Sequence, residues 1–424
     1  MKKALAGILA FLARGIISKY KPKIVGITGS FGKSSTKEAV FAVLSSGRKK
    51  VRRSRGNFNN ELGFPLSIIG DFKKTGGAIF WLKAILKGFY VWLFKVDYPD
   101  ILILEYGADK PGDIKYLGRI ARPDVAIITG ISDIPVHIEF YASIEEVAKE
   151  KSALLKLLKQ NGTAVLNADD ELVSKMAEGL DRDTIFFGFN PEADFKVAQF
   201  SNRLSEGVPI GISFKLETVG KSVPVVIPGT IGKAQGYAGA AAVACGSIFG
   251  ANFIESAGAI SEYNPLSGRA NIIEGINNSW IIDDTYNASP KAVEEALSAL
   301  KSLSGIIGRK IVALGGMKEL GKYSDEAHSL VGKMAGSFAD IIIGVGEEGK
   351  IIVSEAEKGG KKTMWFDSSV KTGEALKKII REGDIVLIKG SQSVRMEHAV
   401  KAIMKYPEKA GKLLVRQYGN WLKE

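Results

Sequence analysis

Residues 26–38, GITGSFGKSSTKE, join a short β-branched run to a segment with helical spacing, and this junction constrains the fold more than any other stretch. The run KIVGITG, Lys23 to Gly29, has the composition of a buried strand, and the pattern turns helical from Lys33 onward. A glycine turn between a strand and a helix N-terminus forms a concavity lined by backbone N–H groups. Gly29 and Gly32, with Ser30 between them, let those amides converge on an anion. The helix dipole adds positive potential, and Lys33 neutralises charge on terminal phosphates. Ser34 or Ser35 then offers a hydroxyl to Mg²⁺. The strict nucleotide-loop pattern has glycine where this chain has Ile27, so the match is a relaxed variant. A plain glycine turn before a helix is the bland alternative. Strand, turn, Lys-Ser-Ser and helix together favour the phosphate site.

At 424 residues and 46% hydrophobic content the chain can bury a large core and divide into two or three domains. A single cysteine, Cys245, excludes an internal disulfide framework and a cysteine-built zinc site, which fits a reducing cytoplasm. The formal charge of +12 raises the question of nucleic acid, but the basic residues are spread along the chain and no nucleic-acid module is present. Anionic substrates or a membrane surface account for it equally well. The densest basic stretch, GRKKVRRSR at 47–55, reads as a solvated loop near phosphates.

Two apolar segments bear on membranes. Residues 1–21 begin with a charge and continue apolar, like a secretion signal, but the phosphate loop follows at once, so the segment is expected to anchor or pack as a helix. Residues 78–94, AIFWLKAILKGFYVWLF, are aromatic and apolar but interrupted by Lys83, Lys87 and Gly88. The expectation is a helix packed on the domain or lying in a bilayer interface, not one crossing it. The protein is accordingly expected in the cytoplasm, in contact with the inner face of the membrane through these two segments.

Beyond them, DILILEYGA (100–108), DVAIITGI (124–131), TAVLNADD (163–170) and DTIFFGF (183–189) alternate with helical stretches such as 144–158. The pattern predicts an α/β fold with a doubly wound, mostly parallel sheet. Residues 195–227 read as an antiparallel extension and 234–249 as a close-packed alanine-rich helix. Near 263–269 the pattern restarts, with SWIIDDTY, KIVALGGM, DIIIGVG and DIVLIKGS between helices. The domains expected are a central P-loop ATPase domain over 22–265 and a Rossmann-like C-terminal domain over 266–424. Glu105 ends a hydrophobic strand, where an open sheet presents ligands, and can hold Mg²⁺. His137 falls in the loop after the next strand and Lys151 on the helix beyond it.

The stretches GITGSFGKSSTKE, GNFNNELGFPLSII, ILEYGADKPGDI, VHIEFYASIEEVAKEK, LNADD, IDDTYNASP, ALGGMKELG and LIKGSQSVRME occur in the order found in the Mur ligases. Over residues 23 to about 400 the chain resembles that family, most closely its MurF-type branch. The resemblance implies an ATP-dependent acid–amino-acid ligase of cell-wall (peptidoglycan) biosynthesis. ATP would convert a substrate carboxylate to an acyl phosphate, and an amine would displace the phosphate. It also implies two Mg²⁺ ions, one held by Ser34 and Glu105, the other by His137 and Lys151. A lysine ammonium cannot ligate a cation, so Lys151 would carry a CO₂-derived carbamate; the bland alternative is an ordinary surface lysine. Lys149 is nearby, but the spacing from His137 selects Lys151.

By the same resemblance Arg269 meets the transferring phosphate, Asp284 the ribose hydroxyls, and Tyr286 and Asn287 the base. Lys389 and Ser391 face the acceptor, and Asn57, Asn59 and Asn60 position the glycopeptide donor. His328, His398 and Asp283 read as structural. The partners implied are a muropeptide-like donor and a D-amino-acid or dipeptide acceptor, with a monomer as the working form. Three departures qualify these roles. The family's uridine-binding N-terminal module does not precede the loop, which makes a lipid-linked donor an alternative to a UDP-linked one. Ile231 and Gly232 replace a His-Asn pair, which bears on adenine specificity. Gly316 and Gln392 replace a usual aspartate and arginine, which bears on the acceptor. A catalytically silent ATP-binding scaffold is the reading from another class, and the joint presence of Lys33, Glu105, His137, Lys151 and Arg269 argues against it.

Overall fold

The computed structural model describes residues 2–56, 58–132, 140–141 and 143–422. Their backbone forms two sheets in sequence. The first contains β1 (Lys23–Thr28), β2 (Val51–Arg53), β3 (Ile101–Glu105), β4 (Val125–Ile128), β5 (Thr163–Asn167), β6 (Thr184–Gly188), β7 (Phe195–Ser205), β8 (Val208–Thr218) and β9 (Lys221–Pro228). Its order is β2-β3-β1-β4-β5-β6-β7-β8-β9, parallel through β7 and antiparallel from β7 to β9. Strands β3, β4 and β5 are buried at every position, which is why they read as unbroken aliphatic runs; β8 alternates because only one of its faces is covered.

Successive strand residues feed opposite cores. Ile24, Leu102 and Ala126 pack with helices α1 (Lys2–Tyr20), α3 (Gly63–Ile69), α4 (Ala78–Leu93), α5 (Asp113–Ile120) and α6 (Ile144–Lys156). Val25, Ile101 and Val125 pack under α2 (Lys33–Ser45), α8 (Ala234–Ile248) and α9 (Phe253–Glu262), with the single turn α7 (Glu171–Ser174) lying after β5. The first strand is flanked by β3 and β4, so the strand order reverses there. An open α/β sheet forms its crevice at the carboxyl edge of that switch point. The register Ile27↔Glu105 and Thr28↔Ile128 brings the glycine turn and Glu105 to that edge together.

The second sheet contains β10 (Asn271–Glu274), β11 (Trp280–Asp284), β12 (Lys310–Gly315), β13 (Ile341–Val345), β14 (Lys362–Phe366) and β15 (Ile385–Lys389), in the order β10-β11-β15-β12-β13-β14. All its pairings are parallel except β10 with β11. Helices α10 (Pro290–Ser302), α11 (Ser324–Gly336) and α12 (Glu347–Lys358) cover one face, and α13 (Ser369–Ile379) with α14 (Glu397–Ile403) the other. The two apolar segments are helices, α1 and α4. Among the described residues no helix is long and apolar enough to cross a membrane.

Candidate active site

The glycine turn leaves β1 at Gly29 (φ 147°) and enters α2 through Gly32 (φ 78°), a backbone path that side-chain-bearing residues rarely adopt. A Cβ on Gly29 would also lie 2.1 Å from the Thr129 hydroxyl. That hydroxyl donates to the carbonyls of Thr28 and Phe31 and so pins the loop from the end of β4. The Ser30 amide donates to Gly130 O (2.7 Å), so that N–H holds the loop and the first-turn amides of α2 are left to face an anion. The Lys33 ammonium folds back onto Gly29 O at 2.7 Å. Burial lowers its pKa below the usual lysine range, with Glu105 opposing the shift.

Glu105 is buried at the end of β3. Its Oε2 accepts from Ser34 Oγ (3.4 Å) and Lys37 Nζ (3.3 Å), and its Oε1 from Asn59 Nδ2 (3.1 Å). Burial pushes its pKa up, but Lys37 and Lys33 and the Asn59 hydrogen bond outweigh that and hold it below the ordinary carboxylate range. The ionised carboxylate and the Ser34 hydroxyl are hard oxygen donors beside the phosphate loop. They fit Mg²⁺, which completes its shell with water and phosphate rather than with a full protein cage. Ser35 is also buried, on the side facing Thr129 and the neighbouring apolar pocket.

Lys151 emerges from α6, whose N-terminus is capped by Ser143. Helical phase buries Lys151 while Lys149 stays exposed. Lys151 Nζ lies 3.4 Å from Ala108 O. Desolvation, reinforced by the Lys33 charge, brings its pKa down to about 7. His137 and Asn57 lie outside the described residues. Among the described residues no three His, Cys, Asp or Glu side chains gather as a metal cluster.

From the second sheet, the Arg269 guanidinium stacks 4.2 Å over the Tyr286 ring, and its buried Nε has no hydrogen-bond partner among the described residues. Lys33, Glu105, Lys151 and Arg269 line one cleft of about 670 Å³, shared with Asn59, Asn287 and Ser391. Behind the loop, an apolar pocket lies between Phe31, Gly232, Gln235, Tyr237 and Ala296, with Asp284 and Lys389 at its floor.

The sequence-derived roles distribute unevenly over this geometry. Asp284, assigned to the ribose, and Lys389, assigned to the acceptor, lie against each other. Neighbours in register on β11 and β15, they form a buried ion pair at 2.6 Å, and Lys389 also donates to Asn287 O at 3.0 Å. Tyr286 and Asn287 border the phosphate cleft rather than the apolar pocket. Asn60 Oδ1 accepts from Leu62 N and Gly63 N (3.2 and 2.9 Å), a local turn leading into α3. Ser391 Oγ accepts from Lys318 N at 2.9 Å on the cleft wall. His328 is satisfied by Met317 N and Ser324 O, and Asp283 is buried and holds Thr285 by its amide and hydroxyl through Oδ1.

Several residues in the site escaped the sequence reading. Lys37 sits one turn beyond Lys33, and that spacing was its only signal. Thr129, the half-buried Glu295 and Tyr141, whose buried hydroxyl has no partner among the described residues, carry no local pattern. Burial raises the Glu295 pKa to about 7.

The chain is similar to known proteins in sequence and fold. The family model described as Mur ligase middle domain matches residues 89–245, and that described as Mur ligase, glutamate ligase domain matches 268–392. The UDP-N-acetylmuramoyl-tripeptide:D-alanyl-D-alanine ligase of Rickettsia prowazekii is 30% identical over 386 residues, covering 90% of this chain and 78% of the relative. The enzyme of the same name from Bacillus subtilis is 28% identical over 399 residues, covering 93% and 79%. The crystal structure of MurF ligase from Thermotoga maritima in complex with ADP superposes with a TM-score of 0.77 at 28% identity, covering 95% of this chain and 84% of that one.

Proposed function

Because this chain belongs to the Mur ligase family, we propose that it is an ATP-dependent amide ligase of the MurF kind, joining an amino component to the peptide carboxylate of a cell-wall precursor. The observation that carries the reading is convergence. One cation from each side of the cleft, Lys33 and Arg269, faces the carboxylate of Glu105 and the near-neutral amine of Lys151 across a single space.

The chemistry concentrates negative charge at each step, so the protein's work is positioning and neutralisation. The glycine turn and α2 N-terminus hold the triphosphate, with Lys33 on its terminal oxygens. Arg269, splayed on Tyr286 with an Nε that has no partner among the described residues, meets the phosphoryl group being transferred. A carboxylate oxygen of the donor attacks the γ-phosphorus, the bond to the ADP oxygen breaks, and an acyl phosphate forms. The acceptor amine then adds to the acyl carbon and loses a proton, and the tetrahedral adduct expels phosphate to leave the amide. Bound at Ser34 and Glu105, Mg²⁺ would supply further neutralisation of the phosphate oxygens.

We assign Lys151 the role of a carbamate-bearing ligand for a second ion. Its burial, its pKa of about 7 and its carbonyl contact with Ala108 supply the neutral amine that CO₂ requires. The neutral amine would add to CO₂ and release one proton, becoming an anionic oxygen donor. The donor is read as a muropeptide and the acceptor as a D-amino acid or dipeptide. A side chain at Gly316 would meet Glu348 Oε2 at 2.5 Å, so here the acid beside the acceptor wall comes from α12, where it pairs with Lys318. Phosphate release from ATP tests the reading, with UDP-linked and lipid-linked muropeptides crossed with D-alanyl-D-alanine and single amino acids. Turnover with one pair is expected, and silence across all pairs favours the scaffold alternative.

A further inference from the structure

The outer face of α4 is apolar and uncovered. Ile79 (72% exposed), Leu82 (58%) and Leu86 (58%), then Phe89 and Tyr90, then Leu93 (65%), follow at three- and four-residue steps, with Phe94 at the end of the stripe. Ile8 and Phe11 of α1 extend this surface, the Phe11 ring meeting Trp92 edge-on at 5.3 Å. A patch of this extent on a folded chain marks an interaction surface.

The helix pair that carries it is rigidly built. A Cβ on Gly88 would lie 2.8 Å from Leu12, and one on Gly15 would lie 2.6 Å from Trp92, so two glycines bring the helices into close contact. Lys19 Nζ donates to the carbonyls of Trp92 (2.8 Å) and Phe94 (2.6 Å), closing the C-terminal end of α4. The exposed stripe is therefore fixed in place, not the loose side of a frayed helix.

Charge selects the occupant. Neither α1 nor α4 contains an acidic residue, while Lys3, Arg14, Lys83 and Lys95 are exposed on or beside them and Lys87 turns its ammonium over the Phe72 ring. A second copy would bring the same cations against these, whereas an anionic lipid surface complements them and accepts the apolar side chains. We propose that the α1–α4 face docks on the surface of an anionic bilayer, lying in the interface without crossing it. The proposal deepens the ligase reading and rests on it for its purpose. At its other end the pair is tied to the site, since Lys2 bridges Glu61 (2.9 Å) and Asn59, two residues before, holds Glu105. Docking there would bring the cleft to a donor whose peptide stands on a lipid carrier.

Co-sedimentation of the full chain with phosphatidylglycerol or phosphatidylcholine vesicles, without substrate, tests this. Binding to phosphatidylglycerol is expected, reduced by salt. Both Leu82→Glu/Leu86→Glu and Lys83→Glu/Lys95→Glu should weaken it by more than roughly tenfold, with melting temperature and ATP turnover on soluble donors unchanged. Wild-type protein that stays in the supernatant, or variants that pellet like wild type, would overturn the proposal. So would light scattering that shows a dimer dissociated by Leu82→Glu/Leu86→Glu without vesicle binding. Because pelleting needs no substrate, its failure leaves the ligase reading standing, and a protein that pellets but ligates nothing fails only the latter.

Discussion

Lys37 Nζ lies 3.3 Å from Glu105 Oε2 with both side chains out of solvent, so the carboxylate beside the phosphate loop is ionised inside the protein. Removing one partner of a buried pair leaves the other charge uncompensated. Lys37→Met should lower stability by about 3 kcal/mol and raise the Glu105 pKa, as read by urea unfolding at neutral and acidic pH. Unfolding at the wild-type urea midpoint would show the pair to be energetically idle.

Glu105→Gln keeps the shape and removes the charge. Phosphate release should fall by roughly a hundredfold or more, and Ser34→Ala should shift the Mg²⁺ titration to higher concentration without abolishing turnover. Isothermal titration with Mg²⁺ and a non-hydrolysable nucleotide reads the same loss without catalysis. Unchanged Mg²⁺ dependence in both variants removes these residues from the metal site.

The Lys151 proposal has a pH signature of definite sign. Its folded pKa of about 7 lies below the unfolded lysine value. Between those values the unfolded chain binds the proton and the folded chain does not, so stability should rise with pH there, by up to about 1.4 kcal/mol per unit, and level off at both ends. Lys151→Met should remove that rise relative to wild type. Lys151→Ala should lose ligation that short carboxylic acids partly restore. Carbon-13 bicarbonate should give a carbamate resonance in wild type that both variants lack. Full activity in Lys151→Ala would end the carbamate assignment.

In the proposed role Arg269 would grip phosphate through a planar fork that an ammonium cannot reproduce. Arg269→Lys should reduce kcat by roughly a hundredfold with a smaller effect on the KM for ATP. Tyr286→Leu, which removes the ring under the guanidinium, should give a smaller decrease of the same kind. A change confined to KM would place Arg269 in ground-state binding instead.

The Asp284–Lys389 pair is tested by a double-mutant cycle. Lys389→Met alone should cost about 3 kcal/mol, while Asp284→Asn with Lys389→Met should recover much of that, because no lone charge then remains buried. Additive losses would mean that the two residues act independently.

The strand, glycine turn and helix at 23–45 were legible because each is decided within a few residues, by β-branching, by backbone freedom at Gly29 and Gly32, and by helical spacing. The unbroken aliphatic runs of β3, β4 and β5 announced strands covered on both faces for the same local reason. Family order in the motifs added Arg269 and Lys151, which no periodicity marks. What the chain alone did not determine are the partnerships made by strand register. Glu105 meets Lys37 across 68 positions because β3 lies beside β1, and Asp284 meets Lys389 across 105 because β15 inserts beside β11. The apolar character of 78–94 was plain in the sequence, but which stripe packs on α1 and which stays uncovered was settled by the close contacts at Gly15 and Gly88. Local propensity acts over a turn or a strand. Charge pairing and exposure depend on neighbours that only the packed sheets bring together.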